Sequence, residues 1–140
     1  MLSLGFLCKN RNIENMTQKS EIGKIGEDIA CGYLKKKGFK VLERNFRRPW
    51  GEIDIIGRTK DKTLVFVEVK TLKGFYPDGL QPEDQMISAK RRKFERAAAA
   101  YAGAHEKLVD DKRGWRLDLV AVVLIGENSY HIRHYENVLG

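Results

Sequence analysis

Residues 63–71 (Thr-Leu-Val-Phe-Val-Glu-Val-Lys-Thr) constrain the fold more than any other stretch of the chain. β-Branched and aromatic residues dominate the run, which reads as a strand. Glu68 and Lys70 nevertheless stand inside it, and a charge among apolar neighbours is costly unless something matches it. Residues 52–58 (Glu-Ile-Asp-Ile-Ile-Gly-Arg) read as a second such strand, interrupted by Asp54. Lys60-Asp61-Lys62 between the two has the composition and length of a hairpin turn.

Alternation along a strand puts Ile53 and Ile55 on one face, and Glu52, Asp54 and Ile56 on the other. In the next strand Val65, Val67 and Val69 share a face, opposite Leu64, Phe66, Glu68 and Lys70. If the two all-apolar faces meet, the parity of the register is fixed. The shortest hairpin of that parity places Asp54 opposite Glu68, Ile55 opposite Val67 and Glu52 opposite Lys70. Opposed Cβ atoms sit about 4.5–5.5 Å apart, so the two carboxylates come within mutual reach and repel. A divalent cation is one remedy, because Mg²⁺ favours one or two carboxylates completed by water and phosphate oxygens. Lys70, on the same face, adds a positive charge able to orient a water or stabilise charge on a phosphoryl centre. The competing reading of these residues is a cross-strand ion pair with Asp54 or Glu52 on a solvated edge.

Around this hairpin, Ile22, Ile25, Ile29, Ala30, Tyr33 and Leu34 follow helical spacing over residues 20–37, and Gly38 ends the run as a C-cap. Residues 40–47 read as a strand broken at Pro49. A loop rich in Gly and Pro occupies residues 72–83. A helix follows, from Asp84 or Ser88 to about Lys107, through the alanine run at 97–100. Residues 115–125 form a long apolar strand, and 129–135 a last, more polar one after a turn at 126–128. The order α-β-β-β-α-β-β predicts an α/β fold: a mixed central sheet flanked by helices, with an αβββαβ core and an extra C-terminal strand. The passage from residue 63 to 125 is long enough for a parallel crossover.

The 140 residues predict a single domain at 19–140 behind a weakly ordered extension at 1–18. The apolar start lacks the leading basic residues and cleavage site of a signal peptide, and no stretch approaches the length of a membrane span. Cys8 and Cys31 make neither a metal-ligand spacing nor a disulfide framework, which points to a cytoplasmic protein with Cys31 as a small buried hydrophobe. Twenty-six Lys and Arg against 19 Asp and Glu give a net charge of +7. Such a surplus suits a polyanion partner, since neutralised phosphates release counterions, although charge also serves solubility alone.

Gly26-Glu27, Arg44-Asn45, Gly51-Glu52-Ile53-Asp54 and Phe66-Val67-Glu68-Val69-Lys70 together resemble the YraN-like family of uncharacterised bacterial proteins, over about residues 20–138. Asp54 followed by Glu68-Val69-Lys70, after a helix bearing Glu27, is similar to the restriction-endonuclease-like PD-(D/E)xK superfamily, and the family is related to the archaeal Holliday-junction resolvases. The two hairpin motifs are the most specific part of the likeness. The resemblance implies a restriction-endonuclease-like αβββαβ core. It also implies that Asp54, Glu68 and the main-chain carbonyl of Val69 hold Mg²⁺ (or Mn²⁺), with Lys70 as the catalytic lysine. Glu27 corresponds to a first-helix glutamate that completes such sites. By helical spacing it lies at the margin of the apolar stripe, where an exposed helix charge is the alternative. The pattern departs after Lys70, where an arginine is expected and Thr71-Leu72-Lys73 stands instead. Lys73 is a candidate phosphate contact, though a poorer bidentate partner than arginine.

Lys90-Arg91-Arg92-Lys93 opens the second helix if Ser88 is its N-cap. Four cations in a first turn oppose the helix dipole and call for an anion such as a phosphate. If the helix starts earlier, with Glu83 and Asp84 in its first turn, the run is a solvated face. Lys73, Lys90, Arg91, Lys93, Arg47 and Arg48 are therefore the candidate nucleic-acid contacts. Trp50, Phe75 and Tyr76 are loop aromatics that either stack on bases or pack within loops, and Gln85 is a loop residue that could approach the site. Arg116 and Asp118 read as an ion pair at the end of the sheet, and His105, His131 and His134 are too dispersed for a metal triad. The expected function is that of a Mg²⁺-dependent endonuclease-like phosphodiesterase acting on DNA more than RNA, branched or structured DNA included. The alternative is a non-catalytic nucleic-acid-binding module with a nuclease-like fold. No membrane partner is expected, and pairing as a homodimer is left open.

Overall fold

The two most apolar segments of the chain lie side by side in the sheet. Leu64–Lys73 and Trp115–Leu124 pair in parallel, with Val67 beside Asp118 and Glu68 beside Leu119. Strands covered on both faces need apolar side chains of both parities, and these two have them. The structure, a computed structural model, describes residues 11–49, 51–74 and 88–138. Within those residues the order is α1 (Arg11–Lys36), β1 (Lys40–Arg48), β2 (Gly51–Arg58), β3 (Leu64–Lys73), α2 (Ser88–Ala104), β4 (Trp115–Leu124) and β5 (Tyr130–Tyr135). The five strands form one sheet in sequence order, antiparallel except between β3 and β4. The fold is thus the expected mixed α/β sheet with an additional last strand. None of the described helices is long and apolar enough to cross a membrane.

The helices cover opposite faces. Ala30, Cys31 and Leu34 of α1 pack on Ile55, Val65, Val67, Val69, Val120 and Val122. On the other side Phe94, Ala97, Ala98 and Tyr101 of α2 pack on Phe46, Ile53, Ile56, Leu64, Phe66 and Leu117. Each large aliphatic or aromatic side chain so buried contributes roughly 1.5–3 kcal/mol. α1 stops where the sequence says it should. Gly38 takes φ +102°, its amide donates to the Lys35 carbonyl at 3.0 Å, and the Phe39 amide donates to the Leu34 carbonyl at 2.9 Å. Those two bonds satisfy carbonyls that the helix end leaves open.

Two boundaries depart from the expectation. α1 begins at Arg11, nine residues before the helix expected from residue 20, so residues 11–18 are helical. They contain neither Gly nor Pro, and nothing in them stops a helix from propagating. α2 ends at Ala104 instead of near Lys107, because the His105 amide turns back to the Ala102 carbonyl (3.3 Å) and a short 3₁₀ turn, Glu106–Leu108, follows. Cys8, Trp50, Phe75, Tyr76, Gln85 and the alternative helix start at Glu83 and Asp84 lie outside the described residues.

Two glycines let the helices approach the sheet. A Cβ on Gly51 would lie 2.8 Å from the Lys93 carbonyl oxygen. One on Gly26 would lie 1.8 Å from Thr71 Oγ1 and 2.7 Å from Thr71 Cβ, so α1 crosses the end of β3 with no room to spare. That crossing fixes where the next residue, Glu27, stands. Gly26→Ala is expected to lower stability by about 1–3 kcal/mol in urea unfolding, since Thr71 Cβ cannot rotate out of the way. Gly23→Ala, where nothing lies within 4 Å, is the control and should be neutral or slightly stabilising.

Candidate functional site

β2 and β3 pair from Arg58↔Leu64 up to Ile55↔Val67, the register expected from parity, and the pairing ends there. Asp54 and Glu68 are the first residues past the fork. The Val69 amide, instead of joining the ladder, donates to Asp54 Oδ2 at 2.8 Å. The Asp54 side chain therefore fills the opening between the two strands. The expected pairing of Glu52 with Lys70 does not form: Glu52 pairs across β1 with Arg47, and its carboxylate is 3.7 Å from the Arg47 guanidinium.

The fork goes with a kink that strict alternation did not anticipate. Ile53 packs with α2 whereas Ile55 packs with α1, so the two do not share a face. Across the strand pair, Arg44 faces Ile55 and Phe46 faces Ile53, and Asn45 between them has φ +52°. A left-handed residue reverses the alternation of its strand: Phe46 enters the α2 core, while Arg44 Nη2 donates to Asp28 Oδ1 of α1 at 2.7 Å. Asparagine accepts that conformation at lower cost than most residues. Asp54 thus sits at the bend of both strands. The Arg44-Asn45 motif has a positioning role: one residue ties β1 to α1 beside Glu27, and the other makes the bend.

The electrostatics of this spot are unfavourable as it stands. The Asp54 carboxyl is pushed up to about 8, first by burial and then by the neighbouring Glu68, against the opposing hydrogen bond from the Val69 amide; Glu27 and Glu52 add to the rise. Glu68 is itself only 5% exposed. Burial and the adjacent Glu68 carboxylate thus favour the protonated form of Asp54, an effect that a nearby cation would offset. Lys70 is half-buried two residues further along β3. Glu27 is also half-buried, and lies on a groove of about 540 Å³ lined by Lys24, Asp28, Arg44, Asn45 and Arg47. Among the described residues no group of three or more His, Cys, Asp or Glu side chains converges on a metal-binding point. The donor set at the fork is accordingly two carboxylates without nitrogen or sulfur ligands. Such a set could hold a small hard cation that keeps water and phosphate oxygens, such as Mg²⁺ or Mn²⁺.

The basic candidates do not form one patch. Arg47 is exposed and shares the Glu27 groove. Arg48 is exposed, stacks its guanidinium 4.2 Å from the Phe46 ring and donates to the Arg47 carbonyl. Lys73 is exposed at the far end of β3, against a different groove. Lys93 is exposed on α2, and Arg91 is half-buried there with a buried Nε that has no partner among the described residues. The side chain of Lys90 lies outside the described residues.

Asp118 does more than pair with Arg116. It is fully buried, and its carboxylate accepts from Arg116 Nε (2.9 Å) and Nη2 (3.2 Å), from the Asn137 amide (2.9 Å) and from His134 Nε2 (2.8 Å). His134 Nδ1 lies 3.2 Å from Tyr33 Oη and 3.1 Å from Lys37 Nζ on α1. With donors at Nδ1, the ring accepts there and carries its proton on Nε2 toward Asp118. His131, three residues back, is exposed, as expected for opposite sides of a strand. This cluster belongs to structure: it ties α1, β4, β5 and the following turn together.

Residues 26–122 match the model of the family described as "Uncharacterised protein family UPF0102". A UPF0102 protein of Syntrophotalea carbinolica is 41% identical over 118 residues, 84% of this chain and 90% of the relative. One from Fervidobacterium nodosum is 37% identical over 130 residues, 93% of this chain and 90% of the relative. Another, from Corynebacterium efficiens, is 33% identical over 124 residues, 87% and 94% respectively.

Proposed function

The chain belongs to the uncharacterised protein family UPF0102, and from the site it carries we propose that it is a Mg²⁺- or Mn²⁺-dependent endonuclease-like phosphodiesterase acting on DNA. We place it with the restriction-endonuclease-like PD-(D/E)xK enzymes related to archaeal Holliday-junction resolvases, so branched or structured DNA is the first substrate to try. One observation carries this reading. A half-buried aspartate is held in the fork of β2 and β3 by the Val69 amide, next to a buried glutamate that opposes its ionisation. A carboxyl raised in this way lowers the stability of the fold at neutral pH, and such perturbed groups cluster at functional sites.

Asp54 and Glu68, with the main-chain carbonyl of Val69, are the residues that would hold the cation. Bound there, it would supply Lewis-acid polarisation of the phosphodiester and of a water. Lys70 orients the attacking water or stabilises charge developing on the phosphoryl oxygens. Glu27 acts from the rim, where Gly26 presses α1 against Thr71. Arg47 beside Glu27 and Arg91 on α2 are the best-placed backbone contacts, since a phosphate would also give the buried Arg91 Nε a partner. Arg48, Lys73, Lys90 and Lys93 extend the basic surface, and the net charge of +7 supports a polyanion as the partner. The free, buried Cys31 agrees with a reducing cytoplasm.

The test is cleavage of linear duplex, single-stranded and four-way-junction DNA, with RNA alongside, in Mg²⁺, Mn²⁺ or EDTA. The double variant Glu68→Ala/Lys70→Ala is assayed in parallel. Wild type should cut DNA only with metal, and the variant should be slower by about 10³-fold or more. The absence of a third converging carboxylate among the described residues favours one rival, a nucleic-acid-binding module without turnover. DNA binding retained by both proteins, with no cleavage in any metal, would establish the rival instead.

A further inference from the structure

Among the described residues, three cations line the groove of about 540 Å³ between α1 and β1: Lys24 from the helix, Arg44 and Arg47 from the strand. They outnumber the two carboxylates that share it, Glu27 and Asp28. Asp28 accepts from Arg44 Nη2 at 2.7 Å, which leaves the remaining N–H groups of that guanidinium for a further acceptor. Arg47 is held loosely. Its contact with Glu52 spans 3.7 Å between side chains that are 74% and 66% exposed, and such a pair is worth little in water. A phosphate in its place would offer the fork geometry that a guanidinium matches best.

Two connections put this groove beside the proposed cation site. The Asp54 carboxyl, raised chiefly by burial and by Glu68, is raised further by Glu27 and Glu52. Glu27 lines the groove, and Glu52 is the cross-strand partner of Arg47, which also lines it. A nucleic-acid strand with one phosphodiester at Asp54 and Glu68 has neighbouring phosphates to place, and on this side the groove supplies cations for them.

We propose that Lys24, Arg44 and Arg47 form a phosphate-binding subsite that holds the backbone of the DNA strand next to the phosphodiester to be cut. The subsite rests on the nuclease reading for its substrate, but it concerns binding alone. Gly23 suits it: the residue lines the groove, and a Cβ there would meet nothing within 4 Å, so the wall is open where a backbone would pass. Contacts of this kind position a strand without reading its bases, so binding through the groove is independent of sequence and sensitive to salt.

The test is binding of labelled duplex and four-way-junction DNA by the full chain in EDTA, read by fluorescence anisotropy across a range of salt. Lys24→Glu/Arg47→Glu is compared with Lys107→Glu/Lys112→Glu, an equal change of charge at exposed residues outside the groove. Arg44 stays, because it ties β1 to α1. The groove variant should bind at least tenfold more weakly, with a log–log salt slope on duplex smaller by about 1.8, and the control should stay within about threefold of wild type. Equal losses in both variants overturn the proposal, since net charge alone would then explain binding. Unchanged affinity in the groove variant, or a wild type that binds no DNA, overturns it as well. Gly23→Met adds bulk without charge and should weaken binding by about threefold or more while urea unfolding stays unchanged; undiminished affinity counts against a backbone in the groove. The two readings fail separately. Groove-dependent binding by a wild type that cuts no DNA in any metal removes the nuclease reading alone. Metal-dependent cleavage, with the groove variant binding as tightly as the control, removes the subsite alone.

Discussion

Replacing Asp54 by asparagine is expected to make the metal-free protein more stable at neutral pH while abolishing metal-dependent cleavage. Asparagine keeps an oxygen to accept the Val69 amide but removes the charge that burial and Glu68 oppose. The sign follows from linkage. A carboxyl raised from 3.8 to about 8 binds its proton more tightly in the folded state. Stability is therefore full below the ordinary value near 3.8 and declines as pH rises toward 8. At pH 7 the penalty is on the order of 2–4 kcal/mol, and relieving it should raise Tm by roughly 6–15 °C. Thermal unfolding in EDTA reads this directly. Saturating Mg²⁺ or Mn²⁺ should stabilise wild type and leave Asp54→Asn nearly unmoved, because only the native carboxylate pair rewards the cation. A variant less stable than wild type would mean that the fork is built for stability.

Asp118→Ala should do the opposite and on a larger scale. It leaves Arg116 with no carboxylate at 2.9 Å, His134 Nε2 with no acceptor and the Asn137 amide without its partner, around a carboxylate that is itself fully buried. Removing one partner of a buried charged network costs about 3–5 kcal/mol. Urea unfolding should show that loss, and a change below about 1 kcal/mol would refute the structural role assigned to the cluster. The pH dependence also inverts. Burial alone would raise the Asp118 carboxyl, but bonds from His134, Arg116 and the Asn137 amide outweigh it and hold it below 3.8. Its contribution is present above that value and vanishes as pH falls through the lowered folded one. The two aspartates together predict that metal-free stability peaks in mildly acid solution, and that added metal flattens the alkaline side.

Much of this was legible in the residues. Apolar periodicity located every described strand to within about two residues, since central strands and a Gly-capped helix leave strong local signals. Parity from Ile55 and Val67 brought Asp54 and Glu68 to one place, as observed. The bend at Asn45 was not legible, because an asparagine inside a strand does not announce a positive φ, and Ile53 was consequently assigned to the wrong face. Arg116 and Asp118 were visible as a pair from their spacing. His134 lies 16 residues further on and reaches Asp118 only once β5 folds against β4, so no local pattern could join them. The start of α1 at Arg11 was not legible, because regular apolar spacing begins only at Ile22.

The central claim is that Asp54 and Glu68 form a divalent-cation site used on DNA. The most direct measurement is Mn²⁺ binding by electron paramagnetic resonance, with a phosphorothioate DNA junction present so that phosphate oxygens complete the coordination. Wild type should take up Mn²⁺ in a manner that both Asp54→Asn and Glu68→Gln reduce by at least tenfold, with both variants folded. Mn²⁺ uptake that is identical in all three proteins, or absent from wild type, would contradict the claim.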